Sequence, residues 1–157
     1  MKSSINTLII DDEPQSRLLI KKLLEDFAGT EFIVYEAGNA KEALGKANDI
    51  LPQLVFLDIQ MKGETGFDFL DKLRNWNFEI IFITAHGEFA IKAFRYCALD
   101  YLLKPIDKIE FDHYVYYCDS TNTSSSIHWC DLYNTFCTYN IHTVDVSMDG
   151  LSLSEKR

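Results

Sequence analysis

The 157-residue chain carries a formal net charge of −9. That length suffices for one domain with a full core, and that charge argues against a general nucleic-acid binder, because phosphate contacts need a basic face. No apolar run approaches the ~20 residues of a membrane span, and Met1-Lys2-Ser3-Ser4 leads straight into a strand pattern rather than a signal peptide. Cys97, Cys118, Cys130 and Cys137 lack CxxC spacing and read as reduced thiols of a cytoplasmic protein.

Taken in order, Ile5 to Ile10 is a strand that ends in Asp11-Asp12-Glu13. Pro14 suits the first position of a helix, where its missing N–H costs nothing. Leu18, Leu19, Leu23, Leu24 and Phe27 recur at helical spacing until Ala28-Gly29. Phe32 to Tyr35 is the second strand. Asn39 with Glu42 three residues later predicts a capped helix bearing Ala43, Leu44 and Ala47, limited by Pro52.

Leu54-Val55-Phe56-Leu57 is a short apolar run after a Pro-Gln break, the pattern of a strand buried on both faces, and it stops at Asp58. A loop with Gly63 and Gly66 leads to a helix with Phe67, Leu70 and Leu73. Glu79 to Ile83 is a fourth strand, ending at Thr84-Ala85-His86-Gly87. Phe89, Ala90, Ala93 and Phe94 predict a short amphipathic helix. Leu99 to Leu103 is a fifth strand, ending at Lys104-Pro105. Asp107 and Glu110 mark the start of a last helix with Ile109, His113, Tyr116 and Tyr117 on one face.

Five strands alternating with five helices predict βαβ units, an α/β fold with a parallel sheet and helices on both faces. In such folds all strand ends reach one rim, where sites form. Asp11-Asp12, Asp58, Thr84 and Lys104 all end strands; the second strand, ending near Glu36-Ala37, contributes no obvious group. Crowded carboxylates repel one another unless a cation joins them. All-oxygen ligation favours magnesium or a close substitute such as manganese. An ammonium from Lys104 and a hydroxyl from Thr84 complete a phosphoryl-transfer site with Asp58 as nucleophile.

These residues resemble the response-regulator receiver domains of two-component signalling. The resemblance is carried by Leu8 to Pro14, by Leu57-Asp58-Ile59-Gln60-Met61, by Thr84-Ala85 and by Tyr101-Leu102-Leu103-Lys104-Pro105, and it covers roughly residues 5 to 112. It implies a flavodoxin-like five-stranded sheet of order 2-1-3-4-5. It further implies Asp58 as phospho-acceptor, Asp11 and Asp12 as the magnesium-holding pair, and the backbone carbonyl of Gln60 as a further ligand. By the same resemblance Thr84 and Tyr101 are the switch pair, Lys104 grips the phosphoryl group, and the bond before Pro105 is cis. Ala85 is small enough to admit the phosphoryl group. Gln60 and His86 flank the path of a hydrolytic water, although His86 also reads as a surface loop residue and Tyr101 as a core aromatic. Lys62 stands where receivers often have proline, a departure expected to loosen the loop. The stretch Phe82 to Asp107 is closest in appearance to receivers of the LytTR class, which usually carry a C-terminal DNA-binding domain.

The tail reads differently. From Tyr114 onward the only basic residues other than His are Lys156 and Arg157, and Ser120 to Ser126 is a linker-like run of Ser, Thr and Asn. A LytTR DNA-binding domain should be longer and basic. The expected division is therefore a receiver over 1–118 and an atypical tail over 119–157, a loose appendage or a weak hairpin from Trp129 to Met148. A frameshifted continuation is a further reading. Cys130, Cys137, His128 and His142 match no common zinc-finger spacing. Tyr114 to Cys118 is richer in aromatic and β-branched residues than a helix prefers.

The resulting expectation is a switch rather than an enzyme: a phospho-acceptor served by a sensor histidine kinase, with no direct nucleic-acid or membrane contact by this chain. It would form homodimers through the fourth helix, fifth strand and fifth helix, and its parent would be a LytTR-type transcriptional regulator. The competing readings are an aspartate-nucleophile phosphohydrolase, whose DxDx[TV] pattern Asp11-Asp12-Glu13-Pro14 does not match, and a stand-alone interaction module.

Overall fold

The structure, a computed structural model, describes residues 4–73 and 75–121, with side chains as far as residue 116. Five strands, β1 (Ser4–Ile10), β2 (Glu31–Ala37), β3 (Leu54–Leu57), β4 (Glu79–Thr84) and β5 (Asp100–Leu103), form one sheet of order β2-β1-β3-β4-β5. Every pairing is parallel, as crossover connections require. The helices are α1 (Pro14–Glu25), α2 (Ala40–Ile50), α3 (Gly66–Leu73), α4 (Ala90–Phe94, entered through a 3₁₀ turn Gly87–Phe89) and α5 (Lys108–Thr121).

The alternation of strand residues divides the core in two. Leu8, Ile10, Val55, Leu57, Ile80 and Phe82 point to the side covered by α2, α3 and α4. Ile5, Ile9, Leu54, Phe56, Ile81 and Ile83 point to the side covered by α1 and α5. All four residues of β3 are buried, the signature of a central strand covered on both faces. Phe111 stacks on Phe56 with ring centroids 5.4 Å apart, and Val115 is buried beside it, so α5 is held to the sheet despite its unfavourable composition. Each such buried side chain contributes roughly 1.5–3 kcal/mol.

Caps follow the sequence closely. Asn39 accepts from the Glu42 backbone N–H at 2.9 Å, and Glu42 accepts from the Gly38 N–H at 2.9 Å, one residue earlier than in a standard capping box. Asp107 accepts from the Glu110 N–H at 3.0 Å.

The expectations for the apolar residues of α1 and α4 are corrected. Leu18 and Leu19 are exposed; α1 buries Ile20, Leu23 and Leu24 instead. Helical spacing defines a stripe, but its edges face the core only where a neighbour covers them. That helix also ends at Glu25 rather than at Ala28-Gly29, so Phe27 lies beyond it, edge-on to Phe32. Phe94 on α4 is exposed, with only Ala93 of that helix buried. The face of α5 bearing Ile109, His113 and Tyr116 looks outward, while Phe111 and Val115 look in. Cys97 is present as a thiol. The expectations for residues 122–157, including the hairpin, the Cys130, Cys137, His128 and His142 set, and the side chains of Tyr117 and Cys118, lie outside the described residues.

Candidate functional site

The sheet register brings the polar strand ends to one rim. Ile10 is opposite Leu57, Leu57 opposite Phe82, and Thr84 opposite Leu103. Asp11, Asp58 and Lys104, which follow β1, β3 and β5, and Thr84, the last residue of β4, therefore reach one rim. Backbone bonds extend the ladder past the last strand residues: the Asp58 N–H donates to Ile10 O at 2.8 Å and the Lys104 N–H to Thr84 O at 2.9 Å.

Carboxylate oxygens of Asp11, Asp12 and Asp58 lie within 4.8 Å of one another. Asp11 is 1% and Asp58 6% exposed, so two of the three charges are out of water. The Lys104 ammonium donates to Asp11 Oδ2 at 2.9 Å, to Asp58 Oδ2 at 3.0 Å and to Glu13 Oε2 at 3.3 Å. One cation against this many carboxylates leaves net negative charge in a confined space. Three oxygen ligands at such spacing fit a hard divalent cation. Thr84 is fully buried, and its Oγ1 has no hydrogen-bond partner among the described residues. An orphaned buried hydroxyl is costly, and here it stands at the rim, at the end of β4. The Lys104–Pro105 peptide is cis. A model of the family described as "Response regulator receiver domain" matches residues 7–116.

The chain belongs to that family. It is 41% identical over 109 residues to the transcriptional regulatory protein BtsR of Escherichia coli K12, covering 69% of this chain and 45% of that protein. It is 42% identical over 105 residues to the sensory transduction protein LytR of Staphylococcus haemolyticus, covering 66% and 41%. The chain thus spans less than half the length of these relatives. Among solved structures, the response regulator TrrA of Thermotoga maritima, in complex with Mg(2+)-BeF, superposes with a TM-score of 0.63 at 29% identity, covering 75% of this chain and 99% of that one. The strand order and the two-sided helical cover are those of CheY-like receivers. Receivers of two-component systems take a phosphoryl group from histidine kinases and bind Mg²⁺ through acidic residues.

The electrostatics of this receiver follow from its burial. Desolvation pushes the Asp58 carboxyl above the usual aspartate range; Lys104 opposes that shift and Asp11 adds to it. Burial alone would pull the Lys104 ammonium down, but its bonds and attraction to Asp11 and Asp58 together leave it raised. Tyr101 is half-buried against Phe82, its ring centroid 6.3 Å away, and its hydroxyl donates to the His86 carbonyl. Desolvation raises its phenol. His86 itself is half-buried and pairs with Glu88 at 3.2 Å. Gln60 is exposed, its N–H donating to Asp58 Oδ1 at 3.1 Å.

Lys62 behaves contrary to expectation. Its backbone N–H donates to Asp12 Oδ2 at 3.2 Å, a bond no proline can make. The departure therefore ties the loop to the acidic pair rather than loosening it.

Two residues escaped the sequence reading. Glu13 reaches Lys104, and its own N–H donates to Asp11 Oδ1 at 2.8 Å; its place directly after the acidic pair was the available signal. Gly66 opens α3 where an added Cβ would stand 2.5 Å from the Asp58 carbonyl oxygen and 2.9 Å from Leu57 Cγ. Only glycine lets α3 start against the backbone of the acceptor residue. Nothing in the sequence separated that glycine from an ordinary loop residue.

Proposed function

We propose that this receiver is a phosphorylation-controlled switch in which Asp58 is the phospho-acceptor. The observation that carries the reading is the convergence of Asp11, Asp12 and Asp58 within 4.8 Å beside Lys104, on the rim where Thr84, whose hydroxyl has no partner among the described residues, ends β4. An Asp58 carboxylate oxygen attacks the phosphorus of a phosphohistidine on the sensor kinase. The P–N bond breaks, and the imidazole nitrogen departs with the electron pair. Asp11, Asp12, Asp58 and the Gln60 carbonyl would hold Mg²⁺, or Mn²⁺ in its place. Bound there, the ion neutralises charge on the phosphoryl oxygens. Lys104 donates to a phosphoryl oxygen once it exchanges its carboxylate partners, and the Thr84 hydroxyl gains the acceptor it lacks.

The second part of the proposal concerns output. Closure of Thr84 onto the phosphoryl group biases the Tyr101 ring, which adjoins β4 through Phe82, between two packings. The surface of α4, β5 and α5 carries exposed Ile91, Phe94, Leu103, Ile109 and Tyr116. Apolar groups in such number favour self-association, so phosphorylation would drive dimerisation of two copies through this face. By likeness to BtsR and LytR, the parent protein would be a cytoplasmic transcriptional regulator of LytTR type. Residues 1–118 would form its receiver, and 119–157 the atypical tail.

The test is beryllofluoride with Mg²⁺, a phosphoryl mimic, read by light scattering on a size-exclusion column. Wild type is expected to shift in oligomeric state and D58N to stay unchanged. An equal shift in D58N, or none in wild type, would overturn the reading.

A further inference from the structure

The strand that supplied no rim residue supplies the support for one. Asp11 is the buried member of the acidic pair, and its peptide is held from both sides. Its N–H donates to Ala37 O, at the end of β2, at 3.1 Å. Its carbonyl accepts from Arg17 Nη1 at 2.6 Å. Arg17 lies in the second turn of α1, directly after the loop that carries Asp11, Asp12 and Glu13. It therefore folds back onto the segment that precedes its own helix. The same guanidinium lies over Gly38, where an added Cβ would stand 3.6 Å from Nη1. Its Nε is 3.8 Å from Glu36 Oε1, too far for a hydrogen bond, and has no acceptor among the described residues. Glu36 is held in turn by Lys21 at 3.5 Å, and its backbone carbonyl by Lys46.

This is a poor arrangement for stability alone. The Arg17 side chain is 18% exposed, so its charge is largely taken from water, yet its ion pair with Glu36 is loose. The one short bond it makes is charge-assisted and ends on the backbone of Asp11. We infer that Arg17 is a positioning residue for the acidic pair: by fixing the Asp11 peptide against β2, it aims the Asp11 and Asp12 carboxylates for a divalent cation. The inference rests on the proposed metal site and extends it to a residue that touches neither ion nor phosphoryl group. Arg17 acts as outer-shell partners of metal ligands do, and their loss typically weakens metal affinity about 10–100-fold. Lysine at this position keeps a cationic donor but loses the planar fork.

The experiment is direct Mn²⁺ binding to the full chain, read by the electron paramagnetic resonance of free Mn²⁺, in wild type, R17M, R17K, D12N and K21M. R17M is expected to bind about 10–100-fold more weakly than wild type, with R17K between the two and K21M at the wild-type value, since the ion pair of Lys21 is with Glu36 and not with the acidic loop. Thermal unfolding without metal shows which variants are folded. If R17M is unfolded, R17K decides: weaker binding than wild type upholds the inference and equal binding overturns it. If R17M is folded and binds like wild type, the inference fails. Failure of the underlying site has a different signature, in which wild type does not bind Mn²⁺ or D12N binds it as well as wild type.

Discussion

The two ends of the sheet are built from the same strands and follow opposite rules. At the amino end of β1 and β3, Asn6 and Gln53 exchange neutral bonds. The Asn6 N–H donates to Gln53 Oε1 at 3.0 Å and the Gln53 N–H to Asn6 O at 2.8 Å, while Glu79 N–H continues the chain to Gln53 O at 2.9 Å. Donor meets acceptor. At the carboxyl end, three carboxylates crowd one ammonium, and a buried hydroxyl has no partner among the described residues. Between β1 and β3, then, the polar groups are paired at the amino end, whereas the rim at the carboxyl end is left open where the proposed ligand would arrive. That openness costs stability and, under the proposed function, would prepare the site for an anion and a cation.

The sharpest way to break the contrast is at Lys104. K104A should slow phosphorylation of Asp58 by acetyl phosphate at least ~100-fold, the usual loss for one donor to a transition-state oxyanion. Rates from phosphate-affinity gels would check it, and a loss under tenfold would mean that Lys104 only balances charge. Gly66 comes next, because there packing and site coincide. G66A forces a Cβ against the Asp58 carbonyl and should cost about 3 kcal/mol, with a Tm drop on the order of 10 °C. An unchanged melting curve would show that α3 can back away freely.

Metal removal probes only the open end. Mg²⁺ at a hundred times its Kd should stabilise the chain by about 2.7 kcal/mol, and EDTA should abolish that gain in wild type while leaving D12N unaffected. Calorimetry with and without EDTA measures both. Acidity isolates Asp58. Its folded carboxyl is raised by burial, so the folded state holds that proton more tightly than the unfolded chain does. The stability this gives is complete below the ordinary aspartate range and is lost as pH rises through the raised folded value. Without metal, the Tm of D58N should therefore gain on that of wild type across this window and keep its lead above it. A gap independent of pH would contradict the assignment. The smallest effect belongs to the closed end: Q53A should cost about 1 kcal/mol by denaturant titration and leave the phosphorylation rate unchanged.

Much of this is legible in the sequence. The β3 run, four consecutive apolar residues bounded by turn signals, read as a strand buried on both faces, and the structure buries all four. Asp58 had to follow it at the rim. Asp107 and Asn39 announced their caps, since a short polar side chain before a helical stretch has few other uses. The harder cases share a cause. Leu18, Leu19 and Phe94 lie at the exposed edges of their apolar stripes. Lys62 matters through its backbone N–H, which any residue but proline would offer. Gly66 and Arg17 act through contacts with Leu57, Asp58 and Asp11 that no local pattern encodes.

The sequence by itself determined the α/β alternation, the residues that end each strand and, through them, the chemistry available at the rim. Those follow from periodicity and residue type, which are local. Tertiary structure decided which carboxylates share a space, which glycine admits a helix and which arginine bonds the backbone of the acidic loop. Distances between residues far apart in the chain are set by sheet register and helix packing, and these exist only once the chain has folded.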